Sequence, residues 1–554
     1  MKSKRLGANN KNMRKKSYAA FFLAAAIFVI LFLSTCQKKS TDFNFILMTL
    51  DTQRADFIGA YNHSEAAFTP NLDSLARKGI LIENCFCLVP TTLPSHANMF
   101  FSESPHTLKV YNNGQIIPKN NHRPSFVRIF KEHGFTTAAF LSLGVLKKRF
   151  GLSEGFDVYK DEFPKKRWYL TAGEVNKNLL PWLERNKENK FFLWAHYSDP
   201  HEPYYPPPSE KELKIYLNGN LVSEFYLDKS KNKIDLDLRT GTNDIIFEVK
   251  NDFIEDPEKP HASIDRFNIV EQQQEQKVRI ELKNGWSRRK KENTYSIKKQ
   301  GRMIIVNPTG PRKIELAFRG KIITPMEYKH EQYRREVEYM DQQIGILLSK
   351  LKELNLDKKT NILIIGDHGE GLGEYLMEST EGTKGPHFGH THYLYSVYMK
   401  IPLIIHRPNF QTSEMRIKTP VTTLDVAPTI MKIMGFKDLK HFQGKNLLEI
   451  RNGSNRRIFH EAHKPLAIKN RFALLQYPWH LISTPEDQKY ELFNLEDDPY
   501  EKSDIYNTHR KSTLVTLMKK ELDSLIRKVL EEKKTTPEFD EKSKEMLKSL
   551  GYIK

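Results

Sequence analysis

Short apolar runs recur along the chain and predict buried β-strands. They include "NFILMTL", "FFLWA" and "NILIIG", and they end at Leu50, Leu141, Ala195, Gly366 and Ile405. Helical patterns lie between several of these runs. In "TPNLDSLARKG" we expect Thr69 as the N-cap, Pro70 at the first helical position and Gly79 as the stop. Apolar strands that alternate with helices indicate a mainly parallel sheet covered on both faces.

The pattern changes between residues 209 and 322. Alternating polar and apolar positions with Asn-Gly and Gly-Thr-Asn turn signals, as in "LKIYLNGNLVSEFYL", predict an inserted antiparallel β domain. Helical periodicity returns in "EYKHEQYRREVEYMDQQIGILLSKLKEL", ahead of the next apolar run. We therefore divide the chain into a targeting segment, a core in two parts, the insertion and a smaller C-terminal subdomain, at 1–36, 42–208, 209–322, 323–445 and 446–554.

The first 36 residues are typical of a targeting segment. Seven Lys and Arg residues precede a run of 16 apolar residues from Tyr18 to Leu33, and "LSTC" ends at Cys36. This tetrapeptide resembles a bacterial lipobox, in which the Cys becomes the lipidated N-terminus; an uncleaved N-terminal anchor is the alternative. Both interpretations predict an exported, membrane-tethered protein of a bacterial cell envelope. Beyond this segment lie only Cys85 and Cys87, which we expect to be core thiols.

Composition narrows the class of partner. The chain has 554 residues, 39% hydrophobic and 28% charged, which is typical of a globular protein with more than one domain. Its formal charge is +19, and without the seven charges of the N-terminal segment it is +12. The surplus favours an anionic partner, such as a glycan, a lipid headgroup or a phosphate or sulfate ester. We expect no nucleic acid, because no zinc finger, helix-turn-helix or RNP-like pattern is present.

Polar residues follow three of the apolar runs. Asp51 comes directly after the first run, His196 and His201 follow "FFLWA", and Asp367 with His368 follows "NILIIG". Ligands bind at the carboxyl ends of the strands in parallel α/β sheets. Together with "GHTH" at 389–392, these clusters predict a convergent metal and anion site.

The stretch "LVPTTLPSHANMF" has two interpretations. Thr91 or Thr92 ahead of Pro94 is a suitable N-cap for a helix. The positive end of a helix also suits an anionic ester and a partly deprotonated hydroxyl. The local residues alone do not decide between a cap and a reactive group.

Eight stretches, in order, resemble the sulfatase family of the alkaline phosphatase superfamily. They are "LDTQRADFIGAY", "TPNLDSLARKGILIENC", "TTLPSHANMF", "WAHYSDPHEPY", "EYMDQQIGILLSKL", "GDHGEGLGE", "GHTHYLYSVYMKIPLII" and "TLDVAPTIMKIMG". The resemblance covers residues 44–208 and 323 to about 436, and "YELFNLEDDPYEKSDI" is similar to the family's C-terminal subdomain. It implies an ester hydrolase of α/β class, with an alkaline-phosphatase-like, mainly parallel central sheet flanked by helices, the inserted antiparallel β domain and a smaller α+β C-terminal subdomain.

The resemblance implies one divalent metal ion held by Asp51, Asp367 and His368, with Thr92 completing the ligand set. Oxygen-rich ligands suit calcium, magnesium or manganese, and the imidazole keeps zinc open. The family often has a second Asp where this chain has Thr52, so one ligand of the family's set is missing.

The largest departure from the family lies at Thr92. Sulfatases carry a C-x-P-x-R motif whose Cys or Ser is oxidised to formylglycine, and here the matching residues are "TLPSH", 92–96. Threonine cannot form that aldehyde. A covalent intermediate on Thr92 must therefore be cleared by attack of water, or of another alcohol, on phosphorus or sulfur.

Further residues match the family's substrate-binding and leaving-group positions. His201 and His390 are expected as the general acid and the anion binder. Glu370 is expected either to orient a neighbour or to bind metal, and "HFGHTH" with Glu374 could instead form a pH-sensitive loop. The substrate-binding residues implied by the resemblance are Arg54, His96 and Asn113, and the weaker candidates include His387 and His392.

These features predict an exported, membrane-tethered, metal-dependent hydrolase or transferase of phosphate or sulfate esters, with Thr92 as nucleophile. One alternative is a true sulfatase that works without formylglycine. Another is a catalytically silent protein that binds anionic glycans through its β insertion. The retained Asp51, Asp367 and His368 argue against the silent alternative.

Overall fold

The computed structural model describes most of the chain beyond residue 41. The described residues are 42–63, 66–118, 124–164, 167–202, 204, 213–225, 231–249, 262–271, 279–282, 286–289, 294–297, 300–307, 312–322, 326–378, 384–408, 415–437, 441–450, 455–464, 466–532, 539–550 and 552. The predicted targeting segment, including Cys36, lies outside them. Within the described residues no helix is long and apolar enough to cross a membrane.

The described strands are β1 Asn44–Leu50, β2 Ile80–Phe86, β3 Thr136–Phe140, β4 Val158–Lys160, β5 Phe191–Tyr197, β6 Leu213–Leu217, β7 Asn220–Phe225, β8 Lys231–Leu238, β9 Gly241–Val249, β10 Ala262–Glu271, β11 Arg279–Leu282, β12 Trp286–Arg289, β13 Thr294–Ile297, β14 Gln300–Asn307, β15 Arg312–Ile322, β16 Thr360–Gly366, β17 Gly371–Glu378, β18 Lys384–Gly389, β19 Lys400–His406, β20 Met415–Ile417, β21 Val421–Thr422, β22 Arg457–Ala462, β23 Arg471–Gln476, β24 Trp479–Thr484 and β25 Lys489–Asn494.

The described α-helices are α1 Pro70–Arg77, α2 Thr92–Phe101, α3 Pro105–Leu108, α4 Phe126–Glu132, α5 Ala172–Arg185, α6 Met326–Glu353, α7 Ser396–Met399, α8 Val426–Met434, α9 Tyr506–His509, α10 Thr513–Glu532 and α11 Glu541–Ser549.

The central sheet has nine strands in the order β20-β2-β19-β16-β1-β5-β3-β4, with β21 beside β2. Its pairs are parallel except where β19 lies between β16 and β2, to both of which it is antiparallel. Helices α1, α5 and α6 contribute Leu72, Leu179 and Met340 to the core on one face. Helices α2 and α8 contribute Met99 and Ile430 to the core on the other. Because both faces are covered, every residue of β1 is buried.

Helix α1 begins at the predicted residue, but Thr69 does not cap it through its side chain. Thr69 occupies the N-cap position without a capping side-chain bond. Its hydroxyl instead accepts the Gly59 N–H at 2.9 Å and donates to Asp73 Oδ1 at 3.0 Å. The predicted stop, Gly79, lies where an added Cβ would be 2.3 Å from the carbonyl oxygen of Ile405. Glycine is therefore required there for close approach to β19.

Within residues 213–322, the described strands form two five-stranded sheets, β12-β13-β10-β15-β8 and β11-β14-β9-β6-β7, and all of these strand pairs are antiparallel. Asn218 and Gly219 turn the chain between β6 and β7 with φ of 51° and 87°. Positive φ at both positions is the reason for the Asn-Gly preference of such hairpins. The antiparallel character agrees with the prediction; the exact domain bounds stay a prediction.

The C-terminal region contains the four-stranded sheet β22-β23-β24-β25. Helix α10 packs on it and buries Val515, Met518 and Leu522 against Leu474 and Leu481. Helix α11 then packs on the main core, where Met546 and Leu547 are fully buried. Cys85 and Cys87 are buried free thiols, consistent with the expected core role.

Candidate active site

The carboxyl ends of adjacent strands bring the predicted polar residues together. Strand β1 lies between β16 and β5, with Leu50 opposite Gly366 on one side and Tyr197 on the other. Asp51 leaves β1 and Asp367 leaves β16 at this same edge, where parallel α/β sheets bind their ligands.

Asp51, Asp367 and His368 form a fully buried cluster. One ligand atom from each lies within 4.8 Å of the others. Asp367 Oδ1 accepts the backbone N–H groups of Thr52 at 3.0 Å and of His368 at 2.7 Å. Within the described part of the chain, Asp367 Oδ2 and Asp51 Oδ1 have no hydrogen-bond partner. Two buried carboxylate oxygens thus face a common space without a donor.

The electrostatics of this cluster favour a cation. Burial raises the pKa of Asp367 well above its ordinary value, and the adjacent Asp51 carboxylate raises it further. Burial also opposes ionisation of Asp51, but the hydrogen bond from His196 and the neighbouring histidines lower its pKa. Burial lowers the pKa of His368 to about 4, so its ring is neutral near pH 7. A divalent cation would supply the charge and fill the unpaired coordination positions.

Thr52 takes no visible part in such a ligand set. Its hydroxyl donates to the Asp51 carbonyl oxygen at 2.7 Å, and its own φ is 56°. The strained backbone presents the N–H of Thr52, rather than its side chain, to Asp367. The missing second Asp is thus replaced by a residue that orients a neighbouring carboxylate.

Thr92 is the first residue of helix α2 and is fully buried. Thr91 occupies the N-cap position, but its side chain makes no capping bond. The Leu93 N–H is instead satisfied by Asn113 Oδ1 at 2.7 Å. Thr92 Oγ1 lies 3.2 Å from His368 Nε2. The hydroxyl therefore faces the carboxylate and imidazole cluster, and the helix end is satisfied by another residue.

His201 and His390 lie side by side next to the cluster, with ring centroids 5.1 Å apart. His201 Nδ1 is 2.6 Å from the Glu202 carbonyl oxygen, and His390 Nδ1 is 2.9 Å from Glu370 Oε2. Glu370 thus orients a neighbour, one of the two roles expected for it. Burial and the nearby His368 lower the pKa of His390 well below its ordinary value. Both rings turn Nε2 towards the site.

His96 and Asn113 form part of the buried floor. His96 Nδ1 lies 2.8 Å from the Thr92 carbonyl oxygen, and its Nε2 has no hydrogen-bond partner among the described residues. Burial lowers the pKa of His96 to about 3, and nearby His196 lowers it too. The Nδ2 group of Asn113 is also without a partner in the described residues. These two groups remain predicted substrate contacts.

The guanidinium group of Arg54 is turned towards carboxylates. It forms a bidentate pair with Asp56, at 3.0 Å and 2.7 Å, and an ion pair with Glu374. Its Nη1 also donates to the Glu370 carbonyl oxygen at 3.1 Å. Two carboxylates already neutralise this cation, so its expected contact with an anionic substrate stays a prediction that the observed contacts do not favour.

The other candidate histidines lie close to His390 in the chain, His387 in strand β18 and His392 two residues after His390. His387 Nδ1 is 2.7 Å from the Tyr398 hydroxyl, and His392 Nδ1 is 2.9 Å from Thr391 Oγ1. Burial lowers the pKa of His387 to about 3 and that of His392 to about 4. Their protonation near pH 7 is thereby disfavoured, which weakens the hypothesis of a loop that responds to pH in that range.

Two further residues belong to the site. His196, expected at a strand end near the site but without an individual role, has Nε2 3.2 Å from Asp51 Oδ2, and Ser142 Oγ lies 2.6 Å from its Nδ1. Tyr552 is not among the residues predicted from the sequence. Its hydroxyl lies within 3.3 Å of Thr92 Oγ1, and no local pattern in the charged C-terminal segment indicates this long-range contact.

Family models match most of the chain. The model described as Sulfatase matches residues 43–436, and the one described as N-sulphoglucosamine sulphohydrolase, C-terminal, matches residues 387–528. The N-acetylglucosamine-6-O-sulfatase of Bacteroides thetaiotaomicron is 21% identical over 509 residues, or 85% of this chain and 84% of that protein.

Solved structures show the same architecture. A structure in complex with its substrate D-glucosamine-2-N,6-O-disulfate has a TM-score of 0.56 and 15% identity, covering 89% of this chain and 98% of that one. A phosphonate monoester hydrolase of Agrobacterium radiobacter has a TM-score of 0.54 and 14% identity, covering 88% and 96%. At such identities the likeness concerns the fold, and it confirms the predicted fold class.

Proposed function

Because the chain belongs to the sulfatase family of the alkaline phosphatase superfamily and is an ester hydrolase of that superfamily, we propose that it cleaves a sulfate ester with Thr92 as nucleophile. The observation that carries this proposal is the position of the Thr92 hydroxyl. It starts a helix, is fully buried and lies 3.2 Å from His368 Nε2, beside two carboxylates with unpaired oxygens. A cap or a packing residue has no need of these neighbours.

The residues that would hold a divalent metal ion are Asp51, Asp367, His368 and Thr92. When bound, such an ion polarises the Thr92 hydroxyl and neutralises charge on the ester oxygens. Mostly oxygen ligands favour calcium, magnesium or manganese, and the His368 imidazole leaves zinc as a further choice.

Side chains of the site carry out the bond changes and the proton transfers. Thr92 Oγ1 forms a bond to sulfur while the bond from sulfur to the leaving oxygen breaks; the Thr92 proton passes to Nε2 of His201, which gives it to the leaving oxygen. Water then attacks sulfur, sulfate departs, and the Thr92 oxygen regains a proton. Burial raises the pKa of Glu370, and a protonated Glu370 donates to His390 Nδ1, so that His390 Nε2 carries a proton for the oxygens of the transferred group.

Phosphate esters are a second candidate substrate class, and Thr92 itself favours them. The aldehyde hydrate of other sulfatases can expel sulfate by means of its second hydroxyl. A threonine ester lacks that route, so turnover requires direct attack of water or of an acceptor alcohol. Such attack is the route expected for a phosphoryl intermediate, and with an alcohol acceptor the enzyme would act as a transferase.

A glycan is the substrate carrier that the relatives support best. One relative in sequence is an N-acetylglucosamine-6-O-sulfatase, and one structural neighbour was solved with D-glucosamine-2-N,6-O-disulfate. The positive charge of this chain agrees with such a polyanion. We extend the proposal to an exported protein tethered to a bacterial cell envelope, on the strength of the basic and apolar segment before Cys36.

The test compares Thr92→Ala with Thr91→Ala. The purified protein is assayed with 4-nitrophenyl sulfate, phosphate monoester and phosphate diester, each with calcium, magnesium, manganese and zinc. We expect Thr92→Ala to lose at least about 1,000-fold in kcat, since the nucleophile is lost, while Thr91→Ala keeps kcat. Mass spectrometry of a slow-substrate mixture should place the transferred group on the peptide that contains Thr92. Equal turnover by the two variants would refute the assignment.

A further inference from the structure

The side chain of Tyr552 reaches the centre of the candidate active site. Its hydroxyl oxygen lies 3.3 Å from Thr92 Oγ1, 2.9 Å from His201 Nε2 and 3.2 Å from His390 Nε2. A phenol therefore joins the hydroxyl that we assign as nucleophile to both histidines that we assign to the ester oxygens. The ring also packs edge-on against His201 and His390, with centroids 5.7 Å and 5.3 Å away.

The position of Tyr552 is set by the helix before it. Asp540 caps helix α11 by accepting the Ser543 N–H at 2.7 Å. After the helix ends, the Tyr552 N–H donates to the Leu547 carbonyl oxygen at 2.9 Å. A bond of this span belongs to the Schellman arrangement of helix C-termini. It fixes the direction in which the chain leaves the helix, and hence where the phenol lies.

Helix α11 is anchored to the core by packing and by hydrogen bonds. Met546 and Leu547 are completely buried, and Leu550 is 6% exposed. Arg149 Nη2 donates to Ser543 Oγ at 2.7 Å. At Gly114, with φ of +85°, an added Cβ would lie 3.1 Å from Leu547 Cδ1, so glycine makes room for the helix. These contacts fix helix α11, and with it the residues that follow, against the core beside the site.

The protonated nitrogen of His201 indicates to which atom the Tyr552 hydroxyl can donate. His201 Nδ1 lies 2.6 Å from a carbonyl oxygen, which can only accept, so Nδ1 carries a proton. The neutral ring then has its lone pair at Nε2, and the Tyr552 hydroxyl donates to it. An ester oxygen bound beside Thr92 would be a new acceptor for the same O–H.

We propose that Tyr552 is a further catalytic residue, whose hydroxyl donates a hydrogen bond to an oxygen of the group transferred to Thr92. This inference rests on the proposed function, because it requires an ester at Thr92. A sulfur or phosphorus atom about 3 Å from Thr92 Oγ1 carries its oxygens into the space bounded by the Tyr552 hydroxyl, His201 and His390. The phenol remains protonated throughout and stabilises the charge that develops on that oxygen.

The same segment borders the space expected for the leaving group. A cavity of about 100 Å³ beside His201 is lined by apolar side chains, among them Leu550 of the C-terminal segment, and by the carboxyl groups of Asp199, Glu202 and Glu336. The apolar part suits the carbon skeleton of an alcohol, and the carboxyl groups can accept hydrogen bonds from its hydroxyls. The C-terminal segment thus contributes to the reacting centre through Tyr552 and to the adjacent cavity through Leu550.

The test uses Tyr552→Phe in the full chain, which keeps the ring and removes the hydroxyl. The matched control is Tyr490→Phe, which removes a phenol that bonds to Asp523 and Lys519 in the C-terminal subdomain. With an aryl ester that the wild-type protein hydrolyses, we expect Tyr552→Phe to lower kcat about 100-fold with less than threefold change in KM. Tyr490→Phe should keep kcat, and both variants should keep the wild-type melting temperature within a few degrees.

Two results on turnover would overturn the inference. Unchanged kcat in Tyr552→Phe would make the phenol a bystander. Increased kcat in Tyr552→Phe, or in a chain that ends at Leu550, would make the segment an inhibitory plug. Either result leaves the proposed function intact, because the wild-type protein turns over.

A binding measurement decides the inference if the wild-type protein hydrolyses none of the esters with any metal, a result that refutes the proposed function alone. Orthovanadate is then titrated calorimetrically into wild-type and Tyr552→Phe protein in the presence of each metal. We expect at least about tenfold weaker binding to the variant. Equal binding, or absence of binding to the wild-type protein, would overturn the role of Tyr552.

Discussion

Replacing Asp367 with Asn tests the metal centre. The variant should have a higher melting temperature than the wild type without metal and a lower one with metal. In the metal-free protein, Asp367 is buried beside Asp51 and its Oδ2 has no partner in the described chain. Burial and Asp51 raise its pKa, so its contribution to stability is greatest at acid pH, below its unfolded-state pKa, and is lost as pH rises through the folded-state pKa. Near pH 8, an ionised Asp367 beside Asp51 destabilises the folded metal-free protein. Asp367→Asn removes this charge, so the metal-free variant should have a higher melting temperature than the metal-free wild type.

Added metal should reverse that order. At a metal concentration 100 times the dissociation constant, binding stabilises the wild type by about 2.7 kcal/mol. If loss of one ligand weakens binding about 100-fold, the variant gains only about 0.4 kcal/mol at the same concentration. With roughly 2 °C per kcal/mol for a large domain, metal should raise the wild-type melting temperature by about 5 °C and that of the variant by about 1 °C.

The assay is thermal denaturation of metal-stripped protein with each divalent cation, together with equilibrium dialysis and elemental analysis. Asp199→Asn is the matched control, because burial raises the pKa of Asp199 to about 7 while its carboxylate accepts the Ala172 N–H outside the cluster. Asp199→Asn should keep the metal-dependent increase in melting temperature. If Asp367→Asn showed the full wild-type increase and bound one equivalent of metal, the ligand assignment would be refuted.

Three further predictions concern single side chains. Thr92→Ser should retain at least about a tenth of wild-type kcat because the hydroxyl survives; loss as complete as in the alanine variant would contradict this. Glu370→Gln should lower kcat about 10- to 100-fold through loss of orientation of His390, with the melting temperature as control for folding. Burial opposes ionisation of Glu461, but hydrogen bonds from two histidines outweigh burial and lower its pKa to about 2. The ionised carboxylate should therefore stabilise the folded protein above about pH 4.3, and about 3 kcal/mol of that stability should be lost as the pH falls towards 2. Urea midpoints between pH 5 and pH 3 should therefore fall less in Glu461→Gln than in wild type; parallel slopes would refute it.

The sequence predicted the parallel core well because burial on both faces leaves a local trace. The run "NFILMTL" corresponds to β1 without an error at either end. The direction of a strand leaves no such trace. The run "IPLII" belongs to β19, which is the antiparallel member of the central sheet, and its apolar composition would be the same in either direction.

The candidate site could be predicted where its residues follow strands. Asp51 and Asp367 are adjacent because their strands are, and strand ends can be recognised from composition. The surroundings of Arg54 could not be predicted in the same way. Its partner Glu374 is 320 residues away in sequence, and only the folded chain shows that this cation is already neutralised. Tyr552 depends on the packing of α11 against Gly114, a contact with no local signal.

The charges around Thr92 explain why the cation and the substrate must act together. Arg54 is paired with two carboxylates, and burial keeps the rings of His96 and His368 neutral near pH 7 by lowering their pKa to about 3 and about 4. The site's own fixed charges are therefore carboxylates, which repel an anionic ester. Neutral donors such as the Tyr552 hydroxyl can orient ester oxygens but cannot offset that repulsion. Affinity for the anion must then come from a cation held by the same carboxylates, so that a metal-free protein lacks the nucleophile's activation and the attraction for its substrate at once.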